Sequence, residues 1–110
     1  MLSHFDKYEI PVLLLDYDIV PSPERSTYDL VGIDNIAAGL SIGRFLVRKG
    51  GNIRLAGFDD VAVAAQIGLT TCRQPLGDLA HVAFQTLLQR IRSPRLPPRT
   101  ILLPAPLVAR

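Results

Sequence analysis

Two places in the chain set carboxylates directly behind apolar runs. In IPVLLLDYDIV (residues 10–20), Val12, Leu13, Leu14 and Leu15 lead straight into Asp16, Tyr17 and Asp18. In IRLAGFDD (53–60), the acids are Asp59 and Asp60. An acid at a strand end can do three kinds of work. It can attack phosphorus as a nucleophile. It can accept hydrogen bonds from the hydroxyls or amines of a ligand in fixed directions. Or it can close the strand by hydrogen-bonding its own turn. Spacing alone favours the third, leaving Asp16 and Asp59 as strand-end caps.

These acids need elements to position them. Residues 10–16 read as a fully buried strand, a short apolar run with a turn signal after it. Pro21 and Pro23 make 20–29 a loop. LVGI (30–33) is a second short strand, and Asp34-Asn35 then open a helix that runs to Lys49. Its apolar face carries Ile36, Leu40, Gly43 and Val47, flanked by Ala37, Phe45 and Leu46. Arg48 and Lys49 suit its last turn, and Gly50 suits the position just beyond. Gly39 and Gly43 allow close approach of a neighbour or reflect crowding in the core. A third strand is expected over 53–58, a short helical or irregular link over 61–68, and a fourth strand over 69–73. Pro75 opens an amphipathic helix over 75–91 with Leu76, Leu79, Ala80, Ala83, Leu87 and Ile91 inward. SPRLPP (93–98) stops it, and TILL (100–103) is a last strand. Strands alternating with helices give an α/β class with a mainly parallel sheet flanked by helices. Ligands of such sheets sit beyond the carboxyl ends of the strands, which is where Asp16, Asp34 and Asp59 stand.

Composition sets the outer bounds. A chain of 110 residues, 48% hydrophobic and 20% charged, is globular in composition and suits one small domain. No apolar run nears the roughly 20 residues of a membrane span. MLSHFDKYE has no signal-peptide pattern, so a cytoplasmic location is expected. One cysteine, Cys72, reads as a small strand residue, and two scattered histidines give no metal spacing. From His81 onward there are Arg90, Arg92, Arg95, Arg99 and Arg110 and no acid. That run is either a nucleic-acid patch or a basic helix end with a solvated connection. The lack of stacking aromatics and of any DNA-binding motif favours the second.

Two resemblances sharpen the function. VLLLDYDIV resembles the first motif of haloacid-dehalogenase-like phosphohydrolases, which would make Asp16 a nucleophile, Asp18 an acid/base and Asp59 or Asp60 a magnesium ligand. The rest of that pattern fits poorly. Thr27 lies in a loop before the second strand, and Lys49 is followed at once by Gly50-Gly51. The second resemblance covers about 100 residues. IPVLLLDYD and LVGIDNIAAGLSIGRFLVRKG, then IRLAGFDD, LTTCRQPLGDLAHVAFQTLLQRI and ILLPAPLVAR, resemble the effector-binding domain of LacI-type transcription regulators in the family's order. That resemblance implies part of a two-lobed, periplasmic-binding-protein-like (type I) domain over 1–110, with two family segments joined at residues 50–53. It implies a small-molecule effector, a sugar or nucleobase, held in a cleft by Asp16, Tyr17, Phe58, Asp59 and Gln74. The carboxylates and Gln74 would meet polar groups, and the aromatic faces would cover the apolar side. No catalytic residue, metal or cofactor is implied. No counterpart of the DNA-binding headpiece is present, so DNA binding by this chain alone is not expected. Asp18, Asp34 and Asp60 are expected as turn or cap residues, and Asn35 as a helix N-cap. The helix from Ile36 to Val47 is either core or part of a dimer surface, through which the chain would pair with itself or with a full-length relative. A third reading is a small α/β module that binds a protein partner and no ligand.

Overall fold

The computed structural model describes residues 2–21, 23–51 and 54–110. The chain divides into two compact units. Unit one comprises Met1–Gly32 and Leu76–Leu102, and unit two comprises Ile33–Pro75 and Leu103–Arg110. The backbone therefore passes from one unit to the other three times.

Unit one is built on a three-stranded sheet of order β1-β2-β5, where β1 is Leu13–Asp16, β2 is Asp29–Ile33 and β5 is Thr100–Leu103. The last residues of β2 and β5 fall in unit two. β1 and β2 run parallel with Asp16 opposite Gly32. The Leu30 N–H donates to the Arg99 carbonyl and the Asp34 N–H to the Leu103 carbonyl, so β5 also advances with β2. All five residues of β2 are buried, as a central parallel strand requires. β1 is not the fully buried strand its composition suggests. Leu13 and Leu14 are half-buried and Leu15 is exposed, because β1 lies at the sheet edge. Unit one also holds α1, Leu2–Lys7, which carries no sequence signal strong enough to mark it beforehand, and α4, Leu76–Arg92.

Helix α4 packs on β1. The expected inward stripe is rotated: Leu76, Ala80 and Ile91 are exposed. Leu79 and Thr86 are buried, with Val82, Ala83, Leu87 and Arg90 half-buried beside them. That i, i+3, i+4, i+7 set is one helix face. It turns a threonine and an arginine inward, the arginine because its guanidinium has a partner there. The Thr86 carbonyl accepts from Arg99 Nη2 at 3.0 Å, and Arg90 reaches Asp29.

Unit two holds a second three-stranded sheet of order β3-β4-β6, with β3 Gly57–Phe58, β4 Thr71–Cys72 and β6 Leu107–Val108. β3 and β4 are parallel, and β4 and β6 antiparallel. The expected strands over 53–58 and 69–73 pair only at these short cores. Ile53 and Asn52, and with them part of the 50–53 junction, lie outside the described residues. The α/β class expected, mainly parallel strands flanked by helices, is what the chain forms, with the strands divided between two small sheets. Helix α3, Ala62–Gln66, realises the short helical link. Helix α2, Asn35–Lys49, packs on β4 and β6 through the buried Ala38, whose carbonyl faces the Cys72 Sγ at 3.7 Å. Cys72 is a buried strand residue as expected, and burial pushes its thiol up from the ordinary value. Asp34, not Asn35, is the N-cap of α2: its Oδ1 accepts from the Ala37 N–H at 2.9 Å, an arrangement worth about 1 kcal/mol.

Candidate functional site

In unit one, the C-terminal end of β1 presents Asp16 and Tyr17. Both are exposed, Tyr17 to 74% of its surface. Asp16 holds a backbone φ of +82°, in the left-handed region that side-chain-bearing residues seldom adopt. The next strand explains how Asp16 is held there. Gly32 lies opposite, and a methyl group on Gly32 would stand only 2.5 Å from the Asp16 carbonyl oxygen. β2 thus approaches the end of β1 as closely as only glycine allows.

Asp18 does different work. It accepts from the Val20 N–H at 3.0 Å and the Ser26 N–H at 3.2 Å, and Arg25 stands 3.7 Å away. These partners, the Val20 N–H foremost, hold its carboxyl below the usual value. Asp18 is the turn residue expected, and it is committed to folding the 18–26 loop. An acid/base role for it beside a nucleophilic Asp16 has no support in this geometry. No group of three His, Cys, Asp or Glu able to hold a metal occurs among the described residues.

In unit two, the end of β3 repeats the pattern. Asp59 follows Phe58 and has φ +75°, and Asp60 has φ +47°. Asp59 and Phe58 are exposed. Gln74 Nε2, just beyond β4, donates to Asp59 Oδ1. Three residues predicted from sequence, Phe58, Asp59 and Gln74, therefore come together at the carboxyl ends of β3 and β4. Asp60 turns the other way. Its side chain is buried, Arg73 Nε donates to its Oδ2 at 2.6 Å, and Arg110 Nη1 stands 2.8 Å from its Oδ1. Arg110 and Arg73 hold the Asp60 carboxyl below its usual range. Asp60 is thus an anchor for two arginines, more than the turn or cap residue expected, and the adjacent Asp59 is left free for other contacts.

The functional reading of Asp16 gives a direct stability test. Ala tolerates positive φ worse than Gly by about 1 kcal/mol. In urea melts Asp16→Ala is expected to be less stable than Asp16→Gly by about that amount, and the same order is expected for Asp59. Equal stabilities would mean that neither backbone is held in the left-handed region.

Sequence reasoning missed the carboxylate that is most densely bonded among the described residues. Asp29, 1% exposed, sits at the start of β2. Its Oδ1 accepts from the Arg99 N–H at 2.9 Å, Arg90 Nη2 at 3.0 Å and Arg99 Nε at 3.2 Å. Its Oδ2 accepts from Arg90 Nε and Arg99 Nη2, each at 3.0 Å. Arg90 also ties down the loop after α4, donating to the carbonyls of Pro94, Leu96 and Pro97. Three of the five arginines that follow His81, namely Arg90, Arg99 and Arg110, are therefore engaged with internal carboxylates. The run is therefore not simply a solvated connection. The signal was hidden because the partners lie 61 and 70 residues apart in sequence. A cleft of about 520 Å³ in unit one is lined by Asp6, Tyr28, Asp29 and Arg90, among others. It lies at the amino ends of the strands, away from Asp16. Several of its polar groups are held internally: Tyr28 Oη donates to Asp6 at 2.8 Å, and Asp29 is held as above.

The chain is 33% identical over 105 residues to the ribose operon repressor of Haemophilus influenzae, covering 92% of this chain and 31% of that protein. It thus spans about a third of the length of the curated relative it matches. A LacI family transcriptional regulator from Enterococcus faecium, solved with bound ribose, aligns with 99% of this chain and 47% of its own at 26% identity and a TM-score of 0.45. A probable transcription regulator from Thermus thermophilus aligns with 99% of this chain and 38% of its own at 28% identity and a TM-score of 0.44. The resemblance to LacI-type effector-binding domains read from the motifs is met by the repressor match. Residues 47–110, the stretch that carries GFDD, LTTCRQP and LPAPLVAR, match the family model described as a periplasmic binding protein-like domain, and the chain belongs to that family.

Proposed function

We propose that this chain is part of the effector-binding domain of a LacI-type transcription regulator and that its ligand is a carbohydrate. Each unit offers its own ligand-contacting residues, Asp16 and Tyr17 in unit one, and Phe58, Asp59 and Gln74 in unit two. The carrying observation is that the strand-end acids Asp16 and Asp59 are exposed and held at positive φ. Such backbones cost energy and cluster where a side chain must be aimed. Each carboxylate accepts two sugar hydroxyls, and Gln74 fixes the direction of Asp59. The aromatic rings of Tyr17 and Phe58 offer flat faces for the C–H side of a sugar. The name of the ribose operon repressor makes a pentose the first ligand to test. We further read 1–110 as one partial domain, with family segments joined near 50–53. It works in the cytoplasm without a cofactor or turnover.

Thermal melts with and without D-ribose test the reading. A ligand at 100 times its dissociation constant adds about 2.7 kcal/mol to a fold that it alone binds. The unfolding temperature is expected to rise with ribose in the parent chain. It should rise far less in Asp59→Asn, which keeps the size but loses the charge. No rise with ribose or any other pentose, hexose or nucleobase, in a chain that melts cooperatively, would count against effector binding.

A further inference from the structure

Asp59 and Asp60 are consecutive residues in the left-handed region, at φ +75° and +47°. The peptide between them is planar, so whatever holds its N–H holds the whole plane. With β3 fixed on one side of Asp59 and that plane on the other, the direction in which the Asp59 side chain leaves the backbone is fixed too. The holding group is a side chain of the neighbouring strand. Thr71 on β4 is 0% exposed, and its Oγ1 accepts from the Asp60 N–H at 3.2 Å. Its own hydroxyl donates to the Cys72 carbonyl at 3.2 Å, which sets the rotation of the hydroxyl and leaves its lone pairs for Asp60. Among the described residues the Asp60 N–H has no other partner.

The remaining contacts of Asp60 act further from that peptide. Arg73 and Arg110 hold its carboxylate, at the far end of the side chain. Thr71 is also placed to serve the whole strand-end cluster of unit two. It pairs with Gly57, two residues before Asp59, and lies three residues before Gln74, which donates to Asp59 Oδ1. A fully buried strand position has no packing need for a hydroxyl, since valine has the same shape. The N–H of Asp60 is what the hydroxyl satisfies.

We propose that Thr71 is the positioning residue of the ligand site in unit two: its hydroxyl locks the Asp59–Asp60 peptide and so aims the Asp59 carboxylate, while Thr71 itself, fully buried, touches no ligand. What Asp59 meets rests on the effector reading above, whereas how Asp59 is held does not. Without the hydroxyl the peptide can turn, only a fraction of folded molecules present Asp59 correctly, and affinity falls by that fraction.

Thr71→Val removes the hydroxyl and keeps the shape, and Thr71→Ser keeps the hydroxyl and removes a methyl. Both are compared with the parent at a temperature where each melt shows a fully folded protein, so lost fold is not counted as lost affinity. The first readout needs no ligand. NMR hydrogen exchange at the Asp60 amide should be slow in the parent and in Thr71→Ser, and about tenfold faster or more in Thr71→Val. The side-chain amide signals of Gln74 should shift in Thr71→Val alone. In the second readout, a D-ribose titration, Thr71→Val should bind about tenfold more weakly and Thr71→Ser should restore binding to within about twofold of the parent. An Asp60 amide that exchanges at the open-chain rate in the parent would overturn the proposal whatever the variants do. So would parent-like exchange or parent-like ribose affinity in Thr71→Val, or a serine variant as weak as the valine one, which would assign the effect to packing of the methyl. A parent that binds no carbohydrate would sink the effector reading instead, and the Asp60 exchange and Gln74 signals would then decide by themselves whether Thr71 positions Asp59.

Discussion

Asp29→Asn is expected to remove about 3 kcal/mol of stability, the largest single effect in unit one, because it leaves two inward-facing guanidinium groups without their anion. Breaking a buried pair from one side is costly even where the pair itself contributes little net. Arg90 and Arg99 are partly exposed, which places the estimate at the lower end of the range for such changes. The loss spreads beyond the pair. Arg90 also holds three carbonyls of the 94–97 loop, and the Arg99 N–H is fixed by the same carboxylate. Equilibrium urea unfolding measures it. A loss under about 0.5 kcal/mol, the scale of an ordinary surface change, would show that the clamp contributes little.

The same clamp sets the response to acid. Burial works to raise the Asp29 carboxyl, but the hydrogen bonds and charge of Arg90 and Arg99 outweigh it and hold the group far below the usual carboxylate range. A group depressed in the folded state stabilises fully above its unfolded value, about 3.9 for Asp. Its contribution is lost as pH falls below that value toward the folded one. The parent chain is therefore expected to lose stability steeply below about pH 4. Asp29→Asn should lose less over the same interval, narrowing the gap between the two proteins as the solution is acidified. A constant gap would mean that Asp29 is not the titrating group.

Gly32→Ala carries the second large effect. The added methyl would meet the Asp16 carbonyl oxygen at 2.5 Å and its carbon at 3.2 Å. Backbone cannot yield as a flexible side-chain tip can, so the end of β1 has to move. The expected cost is about 1–3 kcal/mol, as for other overpacked sites. The functional consequence follows from where the motion falls: Asp16, opposite Gly32, is displaced, and carbohydrate binding should weaken although Gly32 contacts no ligand. Gly77→Ala is the control. Its site is open, and a helical Gly-to-Ala change there should add a few tenths to about 1 kcal/mol. Equal effects at Gly32 and Gly77 would remove the claim that β2 positions Asp16.

How far the sequence could be read depended on how local the cause was. The α2 boundaries, its cap region and β2 follow from neighbours a few residues apart, and they came through within a residue. The strand-end acids were legible as a pattern. Their positive φ was not, because Asp tolerates that region without any neighbouring glycine to announce it. The Asp29 clamp was invisible, since its arginines sit on another helix and strand. The face of α2 was legible as apolar but not as exposed: periodicity finds an apolar stripe, and only tertiary packing decides whether Ile36, Leu40 and Val47 or Ala38 and Ile42 turn inward. The rotation of α4 has the same origin, with Asp29 drawing Arg90 toward the sheet.

The most direct test of the effector reading is an amide NMR titration of the chain with D-ribose. The expected result is a saturable movement of the Asp16 and Tyr17 resonances and of those of Phe58, Asp59 and Gln74, with α4 left unmoved. Saturable shifts confined to other residues, or none at millimolar pentose, hexose or nucleobase, would contradict the assignment of these strand ends as the ligand site.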